Sequence, residues 1–159
     1  MNSEISLSEL KAIRIKLKAS KKKVVFTNGV FDLIHAGHVD YLSKAKSLGD
    51  VLIVGLNTDD SVRRIKGEKR PILKQEERAF IVSNLKPVDY VVFFEEDTPE
   101  KLISELIPDV LVKGADWAVE KIVGKDIVEK NGGEAKAIDF VNEQSTSKII
   151  DLILKRYSK

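Results

Sequence analysis

Five short apolar runs, each followed by a polar cluster and then a helical pattern, constrain this chain more than any other feature. They are Val24–Phe26, Val51–Val54, Val91–Phe94, Val110–Val112 and a weaker one at Ala135–Ile138. The runs are continuous rather than alternating, the pattern of strands buried on both faces. Helical spacing is predicted near residues 36–48, 59–65, 74–85, 99–106, 119–130 and 145–156. Strand–helix alternation builds right-handed βαβ units and a covered parallel sheet. The expected fold is therefore α/β: a Rossmann-like, doubly wound parallel sheet of five strands with helices on both faces. Such sheets bind ligands beyond the carboxyl ends of their strands, at the switch in strand order. Functional residues are expected just after each apolar run.

Composition narrows the partners. The 159 residues suit one domain. With 43% hydrophobic and 33% charged residues, the chain is not of the disordered class. Basic and acidic side chains, 27 against 25, leave a net charge of +2, which argues against a nucleic-acid duplex as partner but not against a local basic pocket. The absence of cysteine excludes disulfides, thiolate metal sites and cysteine nucleophiles. The longest apolar runs are about five residues, against the ~20 of a membrane span. No secretory signal is read in the first twenty residues, so a cytoplasmic protein without membrane contact is expected. Residues 1–22 stand apart from the domain at 23–159. Ile5, Leu7, Leu10, Ile13 and Leu17 recur at near-helical spacing, with Ser6 or Ser8 as cap and Lys21-Lys22-Lys23 closing the segment. This predicts an amphipathic helix packed on the domain or on a second subunit.

The chemistry concentrates after the first run. Asn28-Gly29-Val30-Phe31-Asp32 leads into His35-Ala36-Gly37-His38, which holds both histidines of the chain. A helix starting near Ala36 sets both imidazoles at its amino end, where free N–H groups and the helix dipole attract phosphate. Gly29 and Gly37 let a bulky anion approach the backbone. The segment is a candidate polyphosphate site, preferred to two structural histidines. A zinc site using His35, His38 and Asp32 or Asp40 ranks lower, because no cysteine and no glutamate of the metalloprotease type accompany the pair. Lys66 sits among Arg63, Arg64, Lys69 and Arg70, with Gly67 and Pro71 marking a turn or loop. A mobile basic loop there could fold over a triphosphate; a solvated charged loop is the plainer alternative. Arg78 either reaches the site or pairs with Glu76, Glu77 or Asp89. Asp59 either faces a sugar or caps a helix. Ser145, Thr146 and Ser147 open the last helical pattern, as caps or as phosphate donors. Trp117 offers a flat face to a base or sugar, or plugs the edge of the core. Beside it, Asp116 can accept hydrogen bonds from sugar hydroxyls.

The pattern Gly-x-Phe-Asp-x-x-His-x-Gly-His, at residues 29–38, resembles the signature of the nucleotidylyltransferase superfamily. The rest of the chain resembles the bacterial heptose 1-phosphate adenylyltransferases. The motifs are Asn57-Thr58-Asp59, Arg64–Pro71, Glu77-Arg78, Glu95–Pro99, Lys113-Gly114-Ala115-Asp116-Trp117, Asn131-Gly132-Gly133 and Ser145–Ile150. The resemblance runs from about Lys23 to about Arg156. In many bacteria this domain is fused to a sugar kinase, for which the chain leaves no room; the stand-alone form is expected. The resemblance implies that Asn28, Gly29, Val30, Phe31, His35, His38, Lys66, Gly114, Ser145, Thr146 and Ser147 bind the nucleotide, with His35, His38 and Lys66 catalytic. It places Asp32, Asp59, Arg70, Arg78, Lys113, Asp116 and Trp117 on the sugar phosphate. Related chains commonly have Cys-Ser-Thr-Thr where Gln144-Ser145-Thr146-Ser147 stands here, which keeps the hydroxyl donors.

The implied reaction transfers AMP from ATP to D-glycero-β-D-manno-heptose 1-phosphate, giving ADP-heptose and pyrophosphate for lipopolysaccharide core assembly. The acceptor phosphate is already an anion near neutral pH, so positioning and charge neutralisation suffice without a strong base. No carboxylate cluster builds a metal cage, and Mg²⁺ is expected on the nucleotide phosphates. The partners are ATP and a sugar 1-phosphate, and the N-terminal helix is consistent with a homodimer. The nearest alternative is a glycerol 3-phosphate cytidylyltransferase. Trp117 favours it, but its Arg-Thr-Glu-Gly run is replaced by Phe140-Val141-Asn142-Glu143. A flavin adenylyltransferase and a non-catalytic nucleotide-binding module stand further off.

Overall fold

The computed structural model describes residues 5–114, 118–139 and 145–158. The predicted strands form β1 (Val24–Gly29), β2 (Val51–Asn57), β3 (Tyr90–Phe94), β4 (Val110–Gly114) and β5 (Glu134–Ile138). All pairings are parallel and the spatial order is β3-β2-β1-β4-β5. The expected five-stranded parallel sheet is the one observed. Helices α1 (Leu7–Ala19), α2 (Ala36–Lys46), α3 (Asp59–Lys66), α4 (Gln75–Ser83), α5 (Glu100–Leu106), α6 (Lys125–Lys130) and α7 (Thr146–Tyr157) complete the chain.

Successive strand residues feed two cores, one on each face of the sheet, because the side-chain period of a strand is two. Val25, Leu52, Val54, Val110 and Val112 pack with Leu42 and Ala45 of α2 and Ala79 and Val82 of α4. Val24, Phe26, Ile53, Val92 and Leu111 pack on the other face with Leu10 of α1, Leu102, Ile103 and Leu106 of α5, and Val128 of α6. Both faces being covered explains why the runs read as unbroken apolar stretches.

The predicted helix over 119–130 is divided. A 3₁₀ turn spans Val119–Lys121, and α6 starts only at Lys125. Gly124 stands between them at φ +87°, and a Cβ there would lie 2.6 Å from Ile103 Cδ1. Close approach of this turn to α5 requires glycine, and its left-handed backbone breaks the helix.

The N-terminal helix packs on the domain itself. Ser6 Oγ accepts from the Glu9 amide at 3.3 Å while Glu9 Oε2 accepts from the Ser6 amide at 2.9 Å, a reciprocal cap. Leu10 is fully buried in the second core. Arg14 crosses to the end of α5, where Nη2 donates to the Ile107 carbonyl at 2.9 Å and to Asp109 Oδ1 at 3.0 Å. A cation at a helix C-terminus is favourably placed against the dipole. Asp109 Oδ2 in turn accepts from the Val24 amide at 2.7 Å, so one carboxylate ties α1 to the first residue of β1. Leu10→Ala is expected to destabilise the fold by about 2–5 kcal/mol, as core leucine truncations do. Urea unfolding checks this; an unchanged midpoint would mean that α1 is not part of the cooperative core.

Candidate active site

The junction between β1 and α2 sits next to the place where the strand order switches, with β2 on one side of β1 and β4 on the other. The chain leaves β1 at Gly29 and turns sharply, with Phe31 at φ +46°. Phe31 folds back on the backbone. A Cβ on Gly29 would lie 2.9 Å from Phe31 Cε2, so a side chain there would displace the ring. The ring centroid of Phe31 is 5.2 Å from that of His38, and His38 stacks on His35 at 3.9 Å with 27° between planes. Phe31 therefore acts as the wall that orients the imidazole pair.

His35 is the N-cap residue of α2. No side chain caps the helix and its first turn holds no acidic residue. The first amides of an α-helix have no intrahelical partner, so this end is open to an anion. His35 Nδ1, His38 Nδ1 and Asn28 Oδ1 are buried without a hydrogen-bond partner among the described residues. Burial pushes the His38 imidazole down to about 4, helped by the neighbouring His35 and partly opposed by the Leu33 carbonyl. Burial also lowers His35. In the free protein both rings are therefore neutral near pH 7. A polyanion against them favours protonation and reverses the effect of burial.

These groups border a cavity of about 650 Å³. Every residue expected to bind the nucleotide lines it: Asn28, Gly29, Val30, Phe31, His35, His38, Lys66, Gly114, Ser145, Thr146 and Ser147. Asp32, Arg70 and Lys113, expected on the sugar phosphate, line it too. Lys113 Nζ donates to the Asn28 carbonyl at 3.2 Å. At the start of α7, Ser145 Oγ accepts from the Lys148 amide at 3.2 Å, so it is a helix cap. Thr146 Oγ1 donates to the Leu33 carbonyl at 3.5 Å and ties this second helix end to the histidine loop. The first turn of α7 is also free of acidic residues.

Other expectations need correction. Lys66 is the last residue of α3 rather than part of a loop, with Gly67 as C-cap. The segment after it is held: Asp32 accepts from Arg70 Nε at 2.6 Å, the Ile72 amide at 2.9 Å and the Leu73 amide at 3.0 Å. The carboxylate of Asp32, 0% exposed, is thus directed at this segment. Arg78 and Asp59 do not line the cavity. Arg78 is fully buried and donates to the carbonyls of Val30 (2.7 Å), Asn57 (2.9 Å) and Leu73 (3.1 Å), and to Asp59 Oδ1 (2.7 Å). Its ion-pair partner is Asp59, not Glu76, Glu77 or Asp89; Asp89 pairs with Lys46. Thr58, not Asp59, caps α3. Asp116, Trp117 and Phe140–Gln144 lie outside the described residues. The cavity also takes in Tyr41, Ile122 and Val123, which the sequence did not single out, and Asn57, Ile65, Asp97, Thr98 and Pro99, which stood in the quoted motifs without a site role.

An open helix end with stacked imidazoles at the first β–α junction, beside a lysine and an arginine, defines an α/β domain of the nucleotidyltransferase class. Residues 26–151 match the cytidylyltransferase-like family, and the chain belongs to that family. It is 60% identical over 136 residues to the bifunctional protein HldE of Citrifermentans bemidjiense, covering 86% of this chain and 28% of that protein. To HldE of Pelobacter propionicus it is 52% identical over 158 residues, 99% of this chain and 32% of the relative. The chain thus spans about a third or less of the curated relatives it matches. Among solved structures, a lipopolysaccharide core biosynthesis protein from Thermoplasma volcanium superposes with a TM-score of 0.63 at 31% identity, covering 77% of this chain and 99% of that one. A pantoate-beta-alanine ligase from Francisella tularensis shares the fold, with a TM-score of 0.63 at 15% identity over 92% of this chain and 69% of its own. The resemblance read from the motifs is borne out.

The depressed imidazoles make stability depend on pH. Below about pH 6.5 the unfolded chain binds protons that the folded rings refuse until about pH 4 in the case of His38, so stability falls as pH falls through this window. The His35→Asn/His38→Asn variant is expected to lose most of the decline between pH 6.5 and 5, as read from urea midpoints. An equal decline in both proteins would contradict the assigned shifts.

Proposed function

We propose that this domain transfers AMP from ATP to D-glycero-β-D-manno-heptose 1-phosphate, releasing pyrophosphate and forming ADP-heptose for lipopolysaccharide core assembly. The observation that carries this reading is the stacked His35–His38 pair at the uncapped start of α2, sharing one cavity with Lys66 and the start of α7. The family match, the HldE relatives and the lipopolysaccharide core biosynthesis neighbour support the choice of substrates. We place the reaction in the cytoplasm, where ATP is made, and include a homodimer in the reading on the strength of the resemblance. Among the described residues no helix is long and apolar enough to cross a membrane.

In this mechanism an oxygen of the sugar 1-phosphate attacks the α-phosphorus of ATP, and the bond to the bridging oxygen breaks as pyrophosphate leaves. No protein nucleophile takes part. His35 and His38 donate N–H bonds to the α-phosphate and bridging oxygens. Lys66 neutralises the triphosphate, and the uncapped start of α2 and the amino end of α7 add fixed partial positive charge. Magnesium enters with its nucleotide as part of the substrate. Among the described residues no three His, Asp or Glu side chains are grouped to hold a metal ion. Of the carboxylates lining the cavity, Asp97 pairs with Arg64 and Asp32 with Arg70.

Removal of one preorganised donor of this kind costs roughly 10²–10³ in turnover, or ~3–4 kcal/mol. His38→Ala is expected to fold and to lose that much pyrophosphate release with ATP and heptose 1-phosphate. Turnover near that of the unsubstituted protein would remove the imidazole from the mechanism. In the same assay, preference for CTP and glycerol 3-phosphate would replace the heptose reading with the cytidylyltransferase one.

A further inference from the structure

Two arginines stand near the histidine loop, and their hydrogen bonding separates their roles. Arg78 is fully buried and each of its guanidinium nitrogens has a protein acceptor. Arg70 lines the cavity with its side chain 16% exposed. Only its Nε is engaged, by Asp32 Oδ2 at 2.6 Å; among the described residues neither terminal nitrogen has an acceptor. A guanidinium gripped through Nε has lost its freedom to swing, and its two end nitrogens are left as a planar fork. Such a fork matches two oxygens of one phosphate group.

Asp32 does more than neutralise Arg70. It also receives the amides of Ile72 and Leu73, so its carboxylate fixes the backbone that carries Arg70 as well as the tip of the side chain. The division of labour in the proposed mechanism indicates which phosphate the fork meets. Lys66 and the starts of α2 and α7 serve the triphosphate, which leaves the Arg70 fork, in the same cavity, for the second phosphate, that of the acceptor.

We propose that Asp32 is a positioning residue that aims the terminal nitrogens of Arg70 at the phosphate of the acceptor substrate. The assignment deepens the reading of nucleotidyl transfer to a sugar 1-phosphate and rests on it. Asp32 makes no contact with substrate. It lowers the cost of binding by holding the fork in its bound orientation before the acceptor arrives.

Steady-state pyrophosphate release with MgATP and heptose 1-phosphate tests this in Arg70→Ala, Asp32→Asn and the double variant. Loss of hydrogen bonds to a charged group should raise the acceptor KM of Arg70→Ala by about 10–100-fold, with the ATP KM changed by less than about twofold. Asp32→Asn should raise the acceptor KM by about tenfold alone, but by less than about threefold in the Arg70→Ala background, because its effect passes through Arg70. Equal effects of Asp32→Asn in both backgrounds, or a rise in the ATP KM instead, would overturn the proposal. Should Asp32→Asn fail to fold, Arg70→Lys decides. Lysine keeps the charge without the fork and is expected to resemble Arg70→Ala; recovery of the acceptor KM of the unsubstituted protein would refute the aimed fork. Failure of the functional reading itself looks different: the unsubstituted protein would release no pyrophosphate with this acceptor. Calorimetry with inorganic phosphate then still bears on the fork, which predicts binding weakened at least about tenfold in Arg70→Ala, and equal affinities would contradict it.

Discussion

The whole arrangement depends on the reversal of strand order at β1. From this central strand the chain runs outward through β2 to β3, then returns to add β4 and β5 on the opposite side. The loops after β1 and β4 therefore part, and a crevice opens above their carboxyl ends without any strand having to be cut short. A β1 buried on both faces is rigid, and so is its exit at Gly29. Three features beyond that exit inherit a fixed position: the turn at Phe31, the ring that backs His38, and the uncapped start of α2.

Two buried charges extend this rigidity to the neighbouring segment. Asp32 and Arg78 both bridge the histidine loop and residues 70–73, one by accepting from amides and the other by donating to carbonyls. An unpaired buried charge is costly, whereas one surrounded by well-placed partners holds its neighbours in a single geometry. This clamp fixes the segment that carries Arg70 against the histidine loop. The positioning of charge on which the chemistry relies is therefore built into the fold before any substrate binds.

Much of this was legible in the sequence, for identifiable reasons. The strands show themselves because doubly covered strands have no polar face to interrupt them. The histidine segment stands out because both histidines of the chain lie within four residues of each other, directly after a strand. The clamp was not legible. The role of Arg78 is set by the carbonyls of Val30, Asn57 and Leu73, and a backbone carbonyl leaves no mark in the residue sequence. Asp32 likewise looks like a ligand until its three donors from residues 70–73 are seen. Tyr41 escaped notice for a different reason. It lies on the core face of α2, so it reads as structure although it borders the cavity. Ile122 and Val123 were hidden because the sequence reads 119–130 as one helix, whereas they lie between the 3₁₀ turn and α6.

The central claim is that this rigid crevice works by holding two substrates in line, so that the nucleotidyl group passes directly from one phosphate to the other. The stereochemical course at the α-phosphorus tests it most directly. With one isomer of adenosine 5′-(1-thiotriphosphate) as donor and heptose 1-phosphate as acceptor, phosphorus NMR of the product reads the configuration. A single in-line displacement inverts it. Retention would require two displacements through a nucleotidylated side chain, and would contradict a site without a protein nucleophile.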